Sequence, residues 1–458
     1  MTHFDLVVVG TGSGNSILDS RFADWRVAVV EKGVFGGTCL NVGCIPTKMF
    51  VHTAELAAAP AAGAKLGVDA ELKGVRWSDV RDRIFGRIDP IAVGGREYRL
   101  AHADNANVTV FEGTARFTGK RELEVALRDG STRSITADRV VLAAGGRPVV
   151  PAGLEDVPFH TSDTIMRLDE LPARMVIVGT GFVAAEFAHV FSSFGVDVTV
   201  LGRSGAMLRQ EDADISARFT ELARQKWDLR LDTTLTGSAV VPGGIRVDLA
   251  DGSSVETDVV LVAVGRQPNS DLLNLPAGGV DVTTTGHVVV DRTQRTSAEG
   301  VWALGDISSP FELKHVANHE ARVVQHNLLN PDSPIEADHR FVPHAVFSSP
   351  QVAAVGLTER AAKAQGLRYV SATQDYAGIA YGWAMEDTSG FAKLLADPVS
   401  GQLLGAHIIG PQASTLIQPL IQAMSFGLDA RSMARGQYWI HPAMPELIEN
   451  ALLNLPLD

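Results

Sequence analysis

Cysteine is scarce in this sequence: of 458 residues only Cys39 and Cys44 carry a thiol. A secreted scaffold stapled by disulfides would hold more cysteines, spread along the chain. Zinc normally takes four ligands, and no second Cys or His pair stands at a suitable spacing. A close pair in a reducing compartment therefore reads as redox chemistry. Positive charge is also in short supply. The net charge of −13 and the isoelectric point near 5.5 argue against nucleic acid as a main partner, because phosphate binding needs clustered Lys and Arg. No apolar run of membrane-spanning length occurs, so no span is expected. Phe4 to Val9 enter a strand at once and leave no room for a secretory leader, so the expected location is cytoplasmic.

What is present is an ordinary globular composition, 45 % hydrophobic and 20 % charged, on a chain long enough for two to four domains. One pattern occurs twice. The run Leu6 to Val9 meets Gly10-Thr11-Gly12-Ser13-Gly14, then a helix-compatible stretch, then the strand Val27 to Val30 ending at Glu31. Met175 to Val178 meet Gly179-Thr180-Gly181-Phe182-Val183-Ala184, again followed by a helix-like stretch and the strand Val196 to Val200. The repeat predicts an α/β fold with two Rossmann-like dinucleotide-binding domains. Strand-like runs mixed with helical ones after about His339 predict a C-terminal α+β domain. Glycine- and proline-rich punctuation sets expected boundaries at 1–150, 151–270, a central segment 271–338 returning to the first domain, and 339–458.

The two turns differ in chemistry. In the first, Asn15 stands where a third glycine would, and Glu31 closes the second strand, where an acid can bond ribose hydroxyls. In the second, Ala184 keeps the third small position, but the strand ends in Gly202-Arg203-Ser204, with Arg209 nearby. Arginines there suit a 2′-phosphate and favour NADPH over NADH. A nicotinamide donates hydride, whereas a disulfide takes electrons through sulfur. A flavin joins the two chemistries, so FAD is expected at the first turn and NADPH at the second.

Cys39 and Cys44 sit in Gly36-Gly37-Thr38-Cys39-Leu40-Asn41-Val42-Gly43-Cys44-Ile45-Pro46-Thr47-Lys48. On an ideal helix, residues five apart lie about 8.5 Å from one another at Cα, more than the roughly 7 Å a disulfide allows. A bonded pair therefore requires a distorted turn, which Asn41 and Gly43 permit. The alternative is two buried structural thiols.

The stretch from Gly37 to Lys48 resembles the active-site signature of the flavoprotein disulfide reductases, and the resemblance spans nearly the whole chain. It includes both glycine-rich turns, Ala303-Leu304-Gly305-Asp306, and His441-Pro442-Ala443-Met444-Pro445-Glu446. It implies a homodimer in which Cys39 attacks the substrate and Cys44 faces the flavin. It also implies that Lys48 and Glu186 pair near the flavin, with Arg266 beside them, and that Asp306 bonds the FAD ribityl chain. His441 would act from the other subunit, oriented by Glu446. A His held by a carboxylate suits proton donation to a leaving thiolate near neutral pH.

The remaining expected nucleotide contacts are Gly10, Gly12, Ser13, Gly14, Asn15, Glu31, Lys32, Thr38, Ala115 and Gly145 for FAD. For NADPH they are Gly179, Gly181, Phe182, Val183, Arg203, Arg209 and Gly265. No metal is expected. Family members usually carry Thr and Ser where this chain has Ala443 and Pro445. They carry an arginine at Ser20 when the substrate is glutathione disulfide. The chain looks most like the members that reduce mycothione, the disulfide of a sugar-linked cysteine thiol. Lipoamide with NAD, glutathione disulfide, and a quinone reductase or diaphorase with structural cysteines are the alternatives.

Overall fold

The computed structural model describes residues 1–458, which group into two compact units. The first comprises Met1–Thr47, Asp79–Val149 and Gly265–His339, and the second Lys48–Ser78, Val150–Val264 and Arg340–Asp458.

The first unit is built on a sheet in which β1 (Thr2–Val9) lies between β2 (Val27–Glu31) and β5 (Thr132–Leu142). Outside these, β3 (Val108–Gly119) pairs with β2, and Val301–Ala303 pairs with β5, all in parallel. A short strand β4 (Glu122–Leu127) runs antiparallel to both β3 and β5. Residues 6–9 and 27–30 show no alternation of apolar and polar side chains. They are continuous apolar runs because both faces of these strands are covered, and Leu6, Val7, Val8, Val27, Ala28 and Val29 are fully buried.

Two helices carry the cysteines. α1 (Gly37–Asn41) ends at Val42, and α2 (Cys44–Gly63) begins at Cys44 and runs into the second unit from Lys48 onward. α3 (Trp77–Ala101) follows, and from Asp79 onward it belongs to the first unit.

The second unit repeats the parallel plan. Asp228–Arg230, Asp197–Leu201, Arg174–Val178, Val259–Val262 and His160–Thr161 form a five-stranded sheet in that order. The strand Arg174–Val178 turns through Gly179 into α4 (Phe182–Ser193), a helix buried along most of its length. α5 (Ala213–Arg224) starts from an Asp212 cap. The C-terminal part is a five-stranded antiparallel sheet, from His344–Val346 to Val370–Asp375, backed by helices that share its apolar core. Buried Lys393 donates to Asp212, Asp214 and Glu359 at 2.8, 2.6 and 2.7 Å. No helix is long and apolar enough to cross a membrane.

The expected fold class is what the structure shows, with one correction. The helix expected after the first glycine-rich turn does not form. Ser13–Ile17 and Ser20–Phe22 are two short 3-10 segments instead. Leu18 is extended between them, and the Asp19 carboxylate accepts from the Arg21 amide, so a side-chain cap starts a new turn where a helix would continue.

Candidate functional site

The cysteine pair is brought together by a break between two helices. Val42 leaves the helical region at φ −143° and ψ 15°, and Cys44 opens a new helix. The break is closed by its neighbours. Asn41 Nδ2 donates to the carbonyls of Phe35 and Gly37, and Thr47 Oγ1 donates to the Gly43 carbonyl at 2.7 Å. Pro46 falls in the first turn of α2, where a missing N–H costs nothing. Both sulfurs are free thiols, with Cys39 hydrogen-bonded to Cys44. That bond, burial and the charge of Cys44 push the Cys39 thiol far up, while Lys314 pulls it the other way.

The first glycine-rich turn lies directly against this segment. A Cβ on Gly37 would stand 2.7 Å from the Gly12 Cα, so the two loops pass backbone to backbone. Buried Glu31 locks the turn: Oε2 accepts from Thr11 N at 2.8 Å and Thr11 Oγ1 at 2.6 Å, and Oε1 accepts from Gly33 N at 2.6 Å. Of the other expected first-turn residues, Lys32 is exposed and Ala115 is sealed in the core. Thr38 is half-buried, its carbonyl accepting from Val42, and Gly145 sits at φ +65° with open space beside it. Arg266 donates to the Gly146 carbonyl at 2.8 Å. Asp306, on a short 3-10 turn after Leu304, is bonded by no side chain, and burial raises its carboxyl despite nearby Arg266.

These residues suit a dinucleotide: a close-approach backbone turn for a pyrophosphate, a half-buried carboxyl for hydroxyls, and cations nearby.

In the second unit, Gly179 adopts φ +131°, and a Cβ there would meet the Ala263 carbonyl oxygen at 2.1 Å. Gly181 faces open space at the start of α4, followed by exposed Phe182 and half-buried Val183. Arg203 and Arg209 are both exposed and make no ion pair, and Gly265, which the fold puts in the first unit, sits at φ +127° beside open space.

Glu186 is buried in α4 and takes Lys48 on both oxygens, at 2.7 and 2.6 Å. The Phe347 amide donates to the same carboxylate at 2.9 Å, and the Phe347 ring lies 4.6 Å from the ammonium. Removing Lys48 would strand a buried carboxylate at a cost of about 3–5 kcal/mol.

The His441–Glu446 pair is intact. His441 Nδ1 donates to Glu446 Oε1 at 2.6 Å, and the Ala443 amide donates to Oε2 at 3.2 Å. Glu446 is the first residue of the C-terminal helix Glu446–Leu453, so its carboxylate stands at that helix's amide end. The carboxylate is 15 % exposed and the imidazole 71 %, which leaves Nε2 facing outward with its tautomer set from behind.

Sequence reasoning missed Phe347, Lys314 and Arg99. Each acts through a contact more than eighty residues away in sequence, and none stands in a recognisable motif.

Residues 4–321 match the family described as pyridine nucleotide-disulphide oxidoreductase, and residues 342–452 match its dimerisation domain. The chain belongs to the pyridine nucleotide-disulphide oxidoreductase family. It is 55 % identical to a mycothione reductase of Mycobacterium tuberculosis, over 99 % of this chain and all of the relative. It is 33 % identical to a dihydrolipoyl dehydrogenase of Corynebacterium glutamicum, over 98 % and 97 % of the two chains. Among solved structures, the HOCl-induced flavoprotein disulfide reductase RclA from Escherichia coli superposes with a TM-score of 0.85 at 27 % identity, covering 98 % of this chain and 99 % of that one.

Proposed function

We propose that this chain is a cytoplasmic, homodimeric, NADPH-dependent flavoprotein that reduces mycothione to mycothiol. The observation that carries the reading is end-to-end 55 % identity to a mycothione reductase, joined to a cysteine pair at hydrogen-bond distance. The unpaired Arg203 and Arg209 support NADPH over NADH.

FAD, when bound at the first turn, supplies the passage of electrons from NADPH to the cysteines. The Gly10–Asn15 turn, Thr38, Gly145 and Asp306 would hold it, with Lys32, Ala115 and Arg266 at its edges. Gly179, Gly181, Val183 and Gly265 would line the NADPH path, with Phe182 as its gate. Lys48 and Glu186 keep a fixed charge pair at the head of α2. In the reduced dithiol, Cys39 passes its proton to His441 of the partner subunit and attacks one sulfur of the substrate disulfide, forming a mixed disulfide as the substrate S–S bond breaks. His441 of the partner subunit protonates that leaving sulfur, with Glu446 holding the ring. Cys44 then attacks Cys39 Sγ in the mixed disulfide, which frees the second thiol and restores the Cys39–Cys44 bond.

Steady-state assays with mycothione, glutathione disulfide and lipoamide test the substrate. Mycothione should exceed the other two in kcat/KM by at least about tenfold. Equal turnover of lipoamide with NADH would sink this reading. Cys39→Ser should remove disulfide reduction while bound flavin is kept.

A further inference from the structure

The first turn lacks the helix whose amides and dipole would face a pyrophosphate. Its 3-10 segment Ser13–Ile17 is five residues long and has little dipole to offer. Two cations from elsewhere in the first unit stand at its two ends.

Buried Arg99, in α3, takes the carbonyl end. Its Nε and Nη2 donate to Asn15 Oδ1 and Asn15 O at 2.8 Å each, Nη2 also reaches Leu18 O at 3.2 Å, and Nη1 donates to Asn105 Oδ1 at 2.5 Å. No carboxylate pairs with it, and burial pushes its pKa down.

Lys314 takes the amide end. It is the first residue of α6 (Lys314–Leu329), and its Nζ donates to Ser13 Oγ at 2.8 Å. Ser13 Oγ in turn donates to Asn318 Oδ1 at 3.2 Å, one turn along the same helix. No carboxylate lies within ion-pair distance of Lys314. A half-buried ammonium with three N–H donors is thus tied to one hydroxyl, beside the turn that a pyrophosphate would approach.

We propose that the Lys314 ammonium binds a phosphate oxygen of FAD at the Gly10–Asn15 turn, in place of the charge a full helix N-terminus would supply. The proposal rests on FAD occupying the first turn.

Apoprotein of the full chain, reconstituted with FAD and followed by flavin fluorescence, tests it, with ADP as a competitor that carries the pyrophosphate without the ring. Lys314→Met should raise the FAD Kd about ten- to hundredfold, the range of one charge-assisted hydrogen bond. The inhibition constant of ADP should rise by a similar factor, and Lys314→Arg should restore most of the loss. Unchanged FAD binding in Lys314→Met overturns the proposal. So does weaker FAD with unchanged ADP competition, which would move the ammonium's action to the ring or the cysteines. An equal loss in Lys314→Met and Lys314→Arg, with a lowered apoprotein melting temperature, would reduce Lys314 to a tether for Ser13. Wild-type protein that purifies without flavin and takes up none would remove the FAD reading itself, before any variant is compared.

Discussion

The two glycine-rich turns begin alike and end differently. In each, the buried apolar end of a strand meets a left-handed glycine whose missing Cβ makes room for a carbonyl, Ala143 O for Gly10 and Ala263 O for Gly179. After that they diverge. The second turn opens into α4, twelve residues long, and the arginines near it, Arg203 and Arg209, are exposed. The first opens into one 3-10 turn, and its charge comes from Arg99 and Lys314, donated by distant segments. The two turns thus share the tight glycine, while the cations beside the first come from distant segments and not from a helix that follows it.

The largest expected effects test the shared part. Gly10→Ala and Gly179→Ala would each place a Cβ 2.3 or 2.1 Å from a carbonyl oxygen at positive φ. Each should weaken its own nucleotide by about 3 kcal/mol, over a hundredfold, seen as lost flavin absorbance for Gly10→Ala and lost NADPH affinity for Gly179→Ala. Flavin loss in Gly179→Ala would break the parallel.

Arg99→Met tests the divergent part. It leaves the Asn15 and Leu18 carbonyls without their donor and should lower stability by about 2–4 kcal/mol, read by denaturant unfolding.

Arg203→Ala should raise the KM for NADPH about tenfold and leave that for NADH unchanged. Equal KM changes for both coenzymes would show that Arg203 does not read the 2′-phosphate.

The smallest effect concerns α4. Burial, with Lys226 nearby, holds His189 down at about 4 from an ordinary 6.5. Between those values the unfolded chain binds the extra proton, so stability falls as pH drops through the window, by about 1–2 kcal/mol at pH 5. Melting curves from pH 7 to 5 should show the fall, and His189→Gln should flatten it.

Much of the site was legible because its parts are local. The repeated strand and glycine turn, the Cys39–Cys44 spacing and the interval from His441 to Glu446 all sit within short windows. The cysteine reading even required a break in the helix, since a continuous one would hold the sulfurs apart, and Val42 and Gly43 supply it. The false expectation was also local. Asn15 to Phe22 has helix-compatible residues, but the Asp19 cap and the Arg99 fork bond its backbone groups in another arrangement.

The sequence by itself determined the fold class, the two strand-to-glycine turns and the close cysteine pair, because glycine sterics, strand burial and sulfur reach act over a few residues. The tertiary structure alone decided which cations face the first turn and how Glu186 is held by Lys48 and Phe347. Those depend on electrostatics and burial, which act through space between segments the chain order does not bring together.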